Sequence, residues 1–231
     1  MTAAGRLKGL IMDWGGVLTA SLEGVMSRWA ADDGVDVEHY RAVMRSWLGV
    51  PPGERPDEGP DVAAAGSSPV HRLERGELTP REFEQELATA LALQGSTVEA
   101  AGLLRRMLGG LDTLDRDMLE LVRRARTAGL KTALLSNSWG DHYPDELWDG
   151  LFDAVVISGR VGMRKPDPEI FRHTAELLGL EPAECVLVDD MPPYVRAAVA
   201  TGMVGVRHTD YATTLAELEA LFEVRLHGDR D

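Results

Sequence analysis

The chain of 231 residues is 44% hydrophobic and 27% charged, which is typical of a globular protein with one large domain or a core and a smaller insertion. Its formal net charge of −14 repels phosphate backbones, so we expect no nucleic-acid partner. No run of about twenty apolar residues occurs, and the single cysteine, Cys185, allows no internal disulfide, so we expect a cytoplasmic protein without a membrane span.

The first predicted element is a short buried strand at residues 7–12, which ends at Asp13 and is followed by a turn at Gly15 and Gly16. A purely helical stretch comes next, interrupted at residues 51–69 by a loop rich in proline, glycine and acidic residues. The helices predicted there cover residues 21–31, 38–48, 80–93 and 98–108. Thr79 and Glu82 have the spacing of a capping box at the start of the third.

From about residue 112 helices alternate with apolar strands. The predicted strands cover residues 130–136, 154–158, 185–189 and 203–206. The predicted helices cover residues 116–128, 144–149, 167–179 and 193–200, and a last helix opens with a capping box at Thr214 and Glu217. This alternation predicts an α/β fold with a Rossmann-like, doubly wound parallel sheet. We therefore predict a core of residues 1–18 and 109–231, with residues 19–108 inserted as a helical cap.

Polar side chains follow four of the predicted strands. They are Asp13, Ser136 with Asn137, Lys165, and the pair Asp189 and Asp190. Because ligands in open α/β sheets bind beyond the carboxyl ends of the strands, we expect these side chains to form one site.

The types of these residues indicate a reaction. Clustered carboxylates repel one another unless a cation binds or a proton is shared, and Mg²⁺ is the usual cation beside phosphate. The carboxylate of Asp13 can attack phosphorus or carbon and form a covalent intermediate. Ser136 and Lys165 can hold the oxygens of the transferred group.

The same segments resemble the four motifs of the haloacid dehalogenase-like hydrolase superfamily, subfamily IA. The motifs are LIMDWGGVLT, LLSNS, VGMRKPDPEIF and VLVDDMPPYVRAA, in that order. Residues 134–222 are similar to the phosphatase domain at the N-terminus of epoxide hydrolases and to its stand-alone bacterial relatives, through SNSW, LFDAVVIS, VGMRKPDPEIF and VDD. In the inserted segment only the position and the helical character match a cap of the C1 type.

The resemblance implies a metal site and a nucleophile. Asp13 would attack phosphorus and bind Mg²⁺ through its second oxygen. The carbonyl group of Gly15 and the carboxylate of Asp190 would complete the protein ligands, with Asp189 acting directly or through water.

The resemblance also implies a phosphate site. Ser136 and Asn137 would contact phosphate, and Lys165 would bridge phosphate and Asp13. Trp14 either lines the mouth of the pocket, where it would contact substrate, or packs in the core.

One departure concerns the proton donor. Phosphatases of this superfamily usually carry a second aspartate two positions after the nucleophile, and this chain has Gly15 there. General acid–base help is worth about 10²–10⁴-fold. Another acid would have to replace it, and His142 and Tyr143 follow Ser136 closely enough to be candidates. A smaller departure is Tyr194, where asparagine is common.

The expected function is a Mg²⁺-dependent phosphatase that acts on a small phosphorylated metabolite through an aspartyl-phosphate on Asp13. A catalytically weak relative that binds a ligand or a partner protein is an alternative, which Gly15 favours. A metal-independent 2-haloacid dehalogenase is a third, which the acid pair disfavours. A monomer and a homodimer both stay open.

Overall fold

The computed structural model describes residues 7–48, 68–140, 143, 146 and 148–228. Five parallel strands form one sheet in the order β3-β2-β1-β4-β5. The strands are β1 (Gly9–Met12), β2 (Lys131–Ser136), β3 (Ala154–Ile157), β4 (Cys185–Asp189) and β5 (Val204–Arg207). The predicted doubly wound parallel sheet is confirmed. The strand order reverses between β1 and β4, which is where such sheets bind ligands.

Ten α-helices are present among the described residues. They are α1 (Leu22–Asp32), α2 (Val37–Leu48), α3 (Pro69–Glu74), α4 (Pro80–Gln94), α5 (Leu103–Leu108), α6 (Arg116–Thr127), α7 (Ser158–Val161), α8 (Pro168–Leu177), α9 (Pro192–Ala200) and α10 (Tyr211–Phe222). None of these helices combines the length and the apolar character needed to cross a membrane.

The sheet is covered on both faces because its central strands are apolar at every position. All residues of β1 and β4 are buried. Successive side chains of a strand point to opposite faces, so Leu10 and Met12 pack into one hydrophobic cluster and Ile11 packs into another. Helices α1 to α5 contribute to a third cluster, built around Trp29, Phe83 and Met107.

The four helices predicted in residues 19–108 are present, and one of them is shorter than predicted. The capping box of Thr79 and Glu82 at the start of α4 is confirmed. The predicted helix at residues 98–108 begins only at Leu103. The carboxylate of Glu84 accepts hydrogen bonds from the N–H groups of Gly102 (3.2 Å) and Leu104 (3.0 Å), and so caps α5 from the side.

Two other predictions need correction. The last helix begins at Tyr211 with Asp210 as its cap, and the side chain of Thr214 is buried against His208. Helix α3 was not predicted, and its His71 is buried. The predicted loop at 51–69 lies largely outside the described residues, as does most of the predicted helix at 144–149.

Candidate active site

Lys165 connects two carboxylates at the carboxyl edge of the sheet. Asp13 directly follows β1, and its N–H group donates to the carbonyl oxygen of Val188 (3.0 Å), which continues the pairing of β1 with β4. The Nζ atom of Lys165 lies 2.8 Å from Oδ1 of Asp13 and 2.6 Å from Oδ2 of Asp189. The predicted nucleophile, the predicted lysine and one member of the acid pair are therefore in direct contact.

The backbone of Lys165 is held by Asn137. The Nδ2 atom of Asn137 donates to the carbonyl oxygen of Lys165 (2.9 Å), and its Oδ1 atom accepts from the N–H group of Lys165 (2.8 Å). Both polar atoms of the side-chain amide of Asn137 are thus engaged with the backbone of Lys165. Sequence reasoning missed the role of Asn137 in placing Lys165.

Lys165 is a buried ammonium group. Burial alone would lower its pKa, but the charges of Asp13 and Asp189 raise the pKa of Lys165 above its ordinary value. Its Nζ atom also lies 4.9 Å from the centroid of the Tyr194 ring, a cation–π distance. Tyr194 stands at the position of the usual asparagine, and the sequence offered only its place after the acid pair as a signal.

Three carboxylates come together beside this lysine. Asp13, Asp189 and Asp190 each offer an oxygen within 4.8 Å of the others. Burial raises the pKa of Asp190 to about 7, with repulsion from Asp13 adding to the effect, and burial also raises the pKa of Asp189. Each raised pKa reports a cost of holding negative charge here, and a divalent cation would relieve that cost.

The two glycines after Asp13 differ in the room around them. Gly16 has a φ of +77°, and a Cβ atom there would lie 2.5 Å from Oδ2 of Asp190, so a side chain at this position would be strained and would displace the carboxylate. At Gly15, no heavy atom of the described residues lies within 4 Å of where a Cβ atom would be. The absence of the usual aspartate at Gly15 is therefore not imposed by crowding.

Ser136 is the last residue of β2. Its Oγ atom lies 2.8 Å from the hydroxyl oxygen of Tyr143, and either group can be the donor. Burial raises the pKa of Tyr143 above its ordinary value, so this phenol keeps its proton at neutral pH. His142, the other candidate acid, lies outside the described residues.

The structure favours the packing alternative for Trp14. Its side chain is 8% exposed and packs against Tyr143 (centroids 6.0 Å apart) and Trp148 (6.2 Å). It also lines a cavity of about 670 Å³ whose lining residues include neither Asp13 nor Lys165. The substrate contact predicted for Trp14 stays a prediction.

The amino-acid sequence matches a family model described as haloacid dehalogenase-like hydrolase over residues 7–202. The chain is 35% identical to the sesquiterpene phosphatase astK of Aspergillus oryzae, over 65% of this chain and 77% of that protein. It is 31% identical to flavin mononucleotide hydrolase 1 of Arabidopsis thaliana, over 53% of this chain and 51% of that protein. The match to bifunctional epoxide hydrolase 2 of Sus scrofa, at 33% identity, spans 47% of this chain and only 21% of that protein.

Solved structures share the fold at low identity. One is an enzyme of the same family from Bacteroides thetaiotaomicron in complex with magnesium and inorganic phosphate, with a TM-score of 0.61 at 20% identity over 88% of this chain and 94% of that chain. Another is a dehalogenase, with a TM-score of 0.60 at 20% identity over 94% of this chain and 97% of that chain. Similarity of fold alone thus does not identify the reaction of this chain.

Proposed function

The chain belongs to the haloacid dehalogenase-like hydrolase family, and on this premise we propose that it is a Mg²⁺-dependent phosphatase of small phosphorylated metabolites with Asp13 as its nucleophile. The observation that carries the proposal is the buried cluster of Asp13, Asp189 and Asp190 with the ammonium group of Lys165 among them. A metal-dependent phosphatase uses several carboxylates to bind its cation, whereas a hydrolase that attacks carbon without a metal has no need of them. The names of two relatives, a sesquiterpene phosphatase and a flavin mononucleotide hydrolase, support the same reading.

The residues present fit a magnesium ion. Asp13 and Asp190 would bind it directly together with the carbonyl group of Gly15. Asp189 would act directly or through water. Its Oδ1 atom accepts from the N–H group of Met191 (2.9 Å) and its Oδ2 atom from Lys165, which favours the contact through water. The ion would supply positive charge that offsets the charge of the phosphate oxygens.

The protein groups would divide the first step between them. An oxygen of Asp13 attacks phosphorus, the new O–P bond forms, and the bond from phosphorus to the ester oxygen breaks. Lys165 would orient the attacking carboxylate, because its ammonium group holds the other oxygen. The hydroxyl group of Ser136 and the backbone N–H of Asn137 would bind phosphate oxygens. Water then hydrolyses the aspartyl-phosphate and regenerates Asp13.

The departing alkoxide needs a proton that Gly15 does not supply. Among the described residues, the phenol of Tyr143 adjoins the hydroxyl group of Ser136, and we propose that it orients this hydroxyl group and does not replace the missing acid. We therefore expect the protein to hydrolyse ordinary esters slowly and esters with good leaving groups faster.

We also propose that residues 19–108 form a cap over this site. Helices α1 to α5 pack around a hydrophobic cluster of their own. The turn after α3 approaches the core so closely that a Cβ atom at Gly76 would lie 2.6 Å from the carbonyl oxygen of Gly159. A cap in this position would select the substrate and exclude water.

A panel of phosphate esters, including an activated aryl phosphate, tests the proposal with and without Mg²⁺. We expect turnover that requires the metal and falls at least about 10³-fold in Asp13→Asn. If the purified protein hydrolyses no ester with Mg²⁺, the proposal is wrong. Halide release from 2-haloacids without metal would favour the dehalogenase alternative instead.

Metal binding has a separate readout in thermal unfolding. We expect Mg²⁺ to raise the midpoint of the wild-type protein, because a ligand that binds only the folded state stabilises it. Asp190→Asn should raise the midpoint without metal, since it removes one of three repelling charges, and should abolish the shift with Mg²⁺. An unchanged Mg²⁺ shift in this variant would remove Asp190 from the ligand set.

A further inference from the structure

A buried ion pair joins the helical segment to the residue next to Lys165. The Nε atom of Arg164 lies 2.6 Å from Oε2 of Glu74, which belongs to the last turn of α3. The two side chains are only 2% and 5% exposed. The other carboxylate oxygen of Glu74, Oε1, accepts from the indole Nε1–H of Trp139 (3.2 Å). One carboxylate therefore holds both the segment after β2 and the segment that carries Lys165.

The surrounding contacts place α3 and α4 against the same part of the core. The ring of Trp139 packs on Phe83 of α4, with centroids 5.6 Å apart. The Oγ atom of Ser138, the neighbour of Trp139, accepts from the N–H group of Gly159 (3.2 Å). The carbonyl oxygen of Gly159 lies close to Gly76, in the turn after α3. The Glu74–Arg164 pair thus lies within a contact region between the helical segment and the strand ends.

Stability alone does not account for such a pair. Removing two charges from water costs several kcal/mol per ion, and well-packed apolar residues of similar volume often serve stability as well or better. A buried ion pair does impose a definite geometry on its partners, since two charged groups must keep their hydrogen bonds. In this protein the ion pair fixes the position of Arg164, which precedes Lys165 in the chain.

We propose that Glu74, through Arg164, is a positioning residue for Lys165, so that the ammonium group stays between Asp13 and Asp189 only while α3 is docked on the core. Lys165 is then held at three places: its backbone by Asn137, its ammonium by two carboxylates, and its preceding residue by the helical segment. The catalytic consequence of this coupling rests on the proposed phosphatase function, but the positioning itself does not.

Selective modification of lysine tests the positioning without any assay of activity. The chain has two other lysines, Lys8 and Lys131, whose side chains are 56% and 55% exposed, whereas that of Lys165 is 1% exposed. Acetic anhydride should acetylate Lys8 and Lys131 quickly and Lys165 slowly, and mass spectrometry of peptides gives each rate. In Glu74→Gln, we expect the rate at Lys165 to rise about tenfold relative to the other two, because local opening becomes easier.

A matched control is available in a second carboxylate with the same two kinds of partner. Oδ2 of Asp33 accepts from the indole N–H of Trp29 (3.0 Å) and from Nε of Arg106 (2.7 Å), inside the helical segment. Asp33→Asn removes the same charge from a similar network that does not adjoin Lys165. We expect it to lower the thermal midpoint while the acetylation rate of Lys165 stays within about twofold of wild type.

The outcomes separate this inference from the proposed function. The inference is wrong if Lys165 is acetylated as slowly in folded Glu74→Gln as in wild type. It is also wrong if Asp33→Asn raises the acetylation rate of Lys165 as much as Glu74→Gln does. If Glu74→Gln does not fold, Trp139→Phe removes only the indole donor to Glu74, and a rise of about threefold is expected, with no rise overturning the inference. A rise at Lys165 in a protein that hydrolyses no ester would keep the inference and remove the phosphatase proposal. With an active enzyme, we expect kcat to fall about tenfold in Glu74→Gln at little change in KM.

Discussion

The side-chain amide of Asn137 forms hydrogen bonds with both backbone groups of Lys165, accepting from its N–H and donating to its carbonyl oxygen. The two residues are 28 positions apart: Asn137 directly follows β2, and Lys165 lies shortly before α8. Because the ammonium group of Lys165 must reach two carboxylates at once, the placement of its backbone decides whether it can. The segment that follows Ser136 therefore positions the backbone of Lys165, in addition to the phosphate contacts that we propose for it.

Asn137→Ala should lower kcat by about 10- to 100-fold with a smaller change in KM, because Lys165 loses both backbone contacts and with them its alignment. Steady-state kinetics on an activated aryl phosphate would measure the split. Ser138→Ala is the control, since Ser138 bonds Ser158 and Gly159 and does not contact Lys165. A kcat loss in Ser138→Ala as large as in Asn137→Ala would contradict the assigned role.

Gly15→Asp should raise kcat with an alkyl phosphate by about 10²-fold, because a carboxyl group there can protonate the leaving oxygen. Gly15 has no positive φ, and its Cβ position is open, so the backbone accepts a side chain. The activated aryl ester should change little, since its leaving group needs no proton. The measurement is kcat for the alkyl and the aryl phosphate, in wild type and in Gly15→Asp.

Gly16→Ala provides the contrast to that substitution. Its φ of +77° and the 2.5 Å approach to Asp190 predict strain and a displaced carboxylate, so activity should fall. If a folded Gly15→Asp shows no gain with alkyl esters, a proton is already supplied by another group or a different step limits the rate.

Tyr143→Phe should lower kcat by about three- to tenfold, and equally for alkyl and aryl phosphates, because the hydroxyl group of Ser136 loses the partner that orients it. The comparison of leaving groups is the measurement. A fall confined to alkyl esters would instead identify Tyr143 as the proton donor. The double variant Gly15→Asp with Tyr143→Phe would then recover the lost rate.

Glu219→Gln should destabilise the protein in a way that depends on pH. Oε1 of Glu219 accepts from the backbone N–H group of Leu226 (2.6 Å), lies 2.6 Å from Nδ1 of His227, and accepts from the backbone N–H group of His227 (2.9 Å). These bonds lower the pKa of Glu219 from 4.5 to about 2. A pKa that is lower in the folded state means that the ionised carboxylate stabilises the fold above about pH 4.5. That contribution is lost as the pH falls from 4.5 toward 2.

Thermal unfolding at pH 7 should therefore show a midpoint about 2–4 °C lower in Glu219→Gln than in wild type, and the gap should shrink below pH 4.5. Glu217→Gln, at an exposed position of the same helix, serves as the control and should show no such gap. A gap that is the same at pH 7 and pH 3 would rule out the carboxylate as its source.

The sequence by itself determined the fold class and the identity of the chemical groups. Apolar strands that alternate with helices have few ways to bury both faces of a sheet, so the parallel arrangement followed from the pattern. The residues after β1 and β4 were also predictable, because parallel strands end at one edge. Asp13, Asp189 and Asp190 were therefore expected together, and the structure brings their oxygens within 4.8 Å.

Only the tertiary structure decided what surrounds those groups. Asn137 and Lys165, 28 residues apart, and Glu74 and Arg164, 90 residues apart, meet through side chains whose partners no local pattern reveals. The sequence left open whether Trp14 faces substrate or core, and only the structure shows its packing against Tyr143 and Trp148. Periodicity reports which side of an element is buried, whereas the choice of a hydrogen-bonding partner depends on the distance between segments that are remote in the chain.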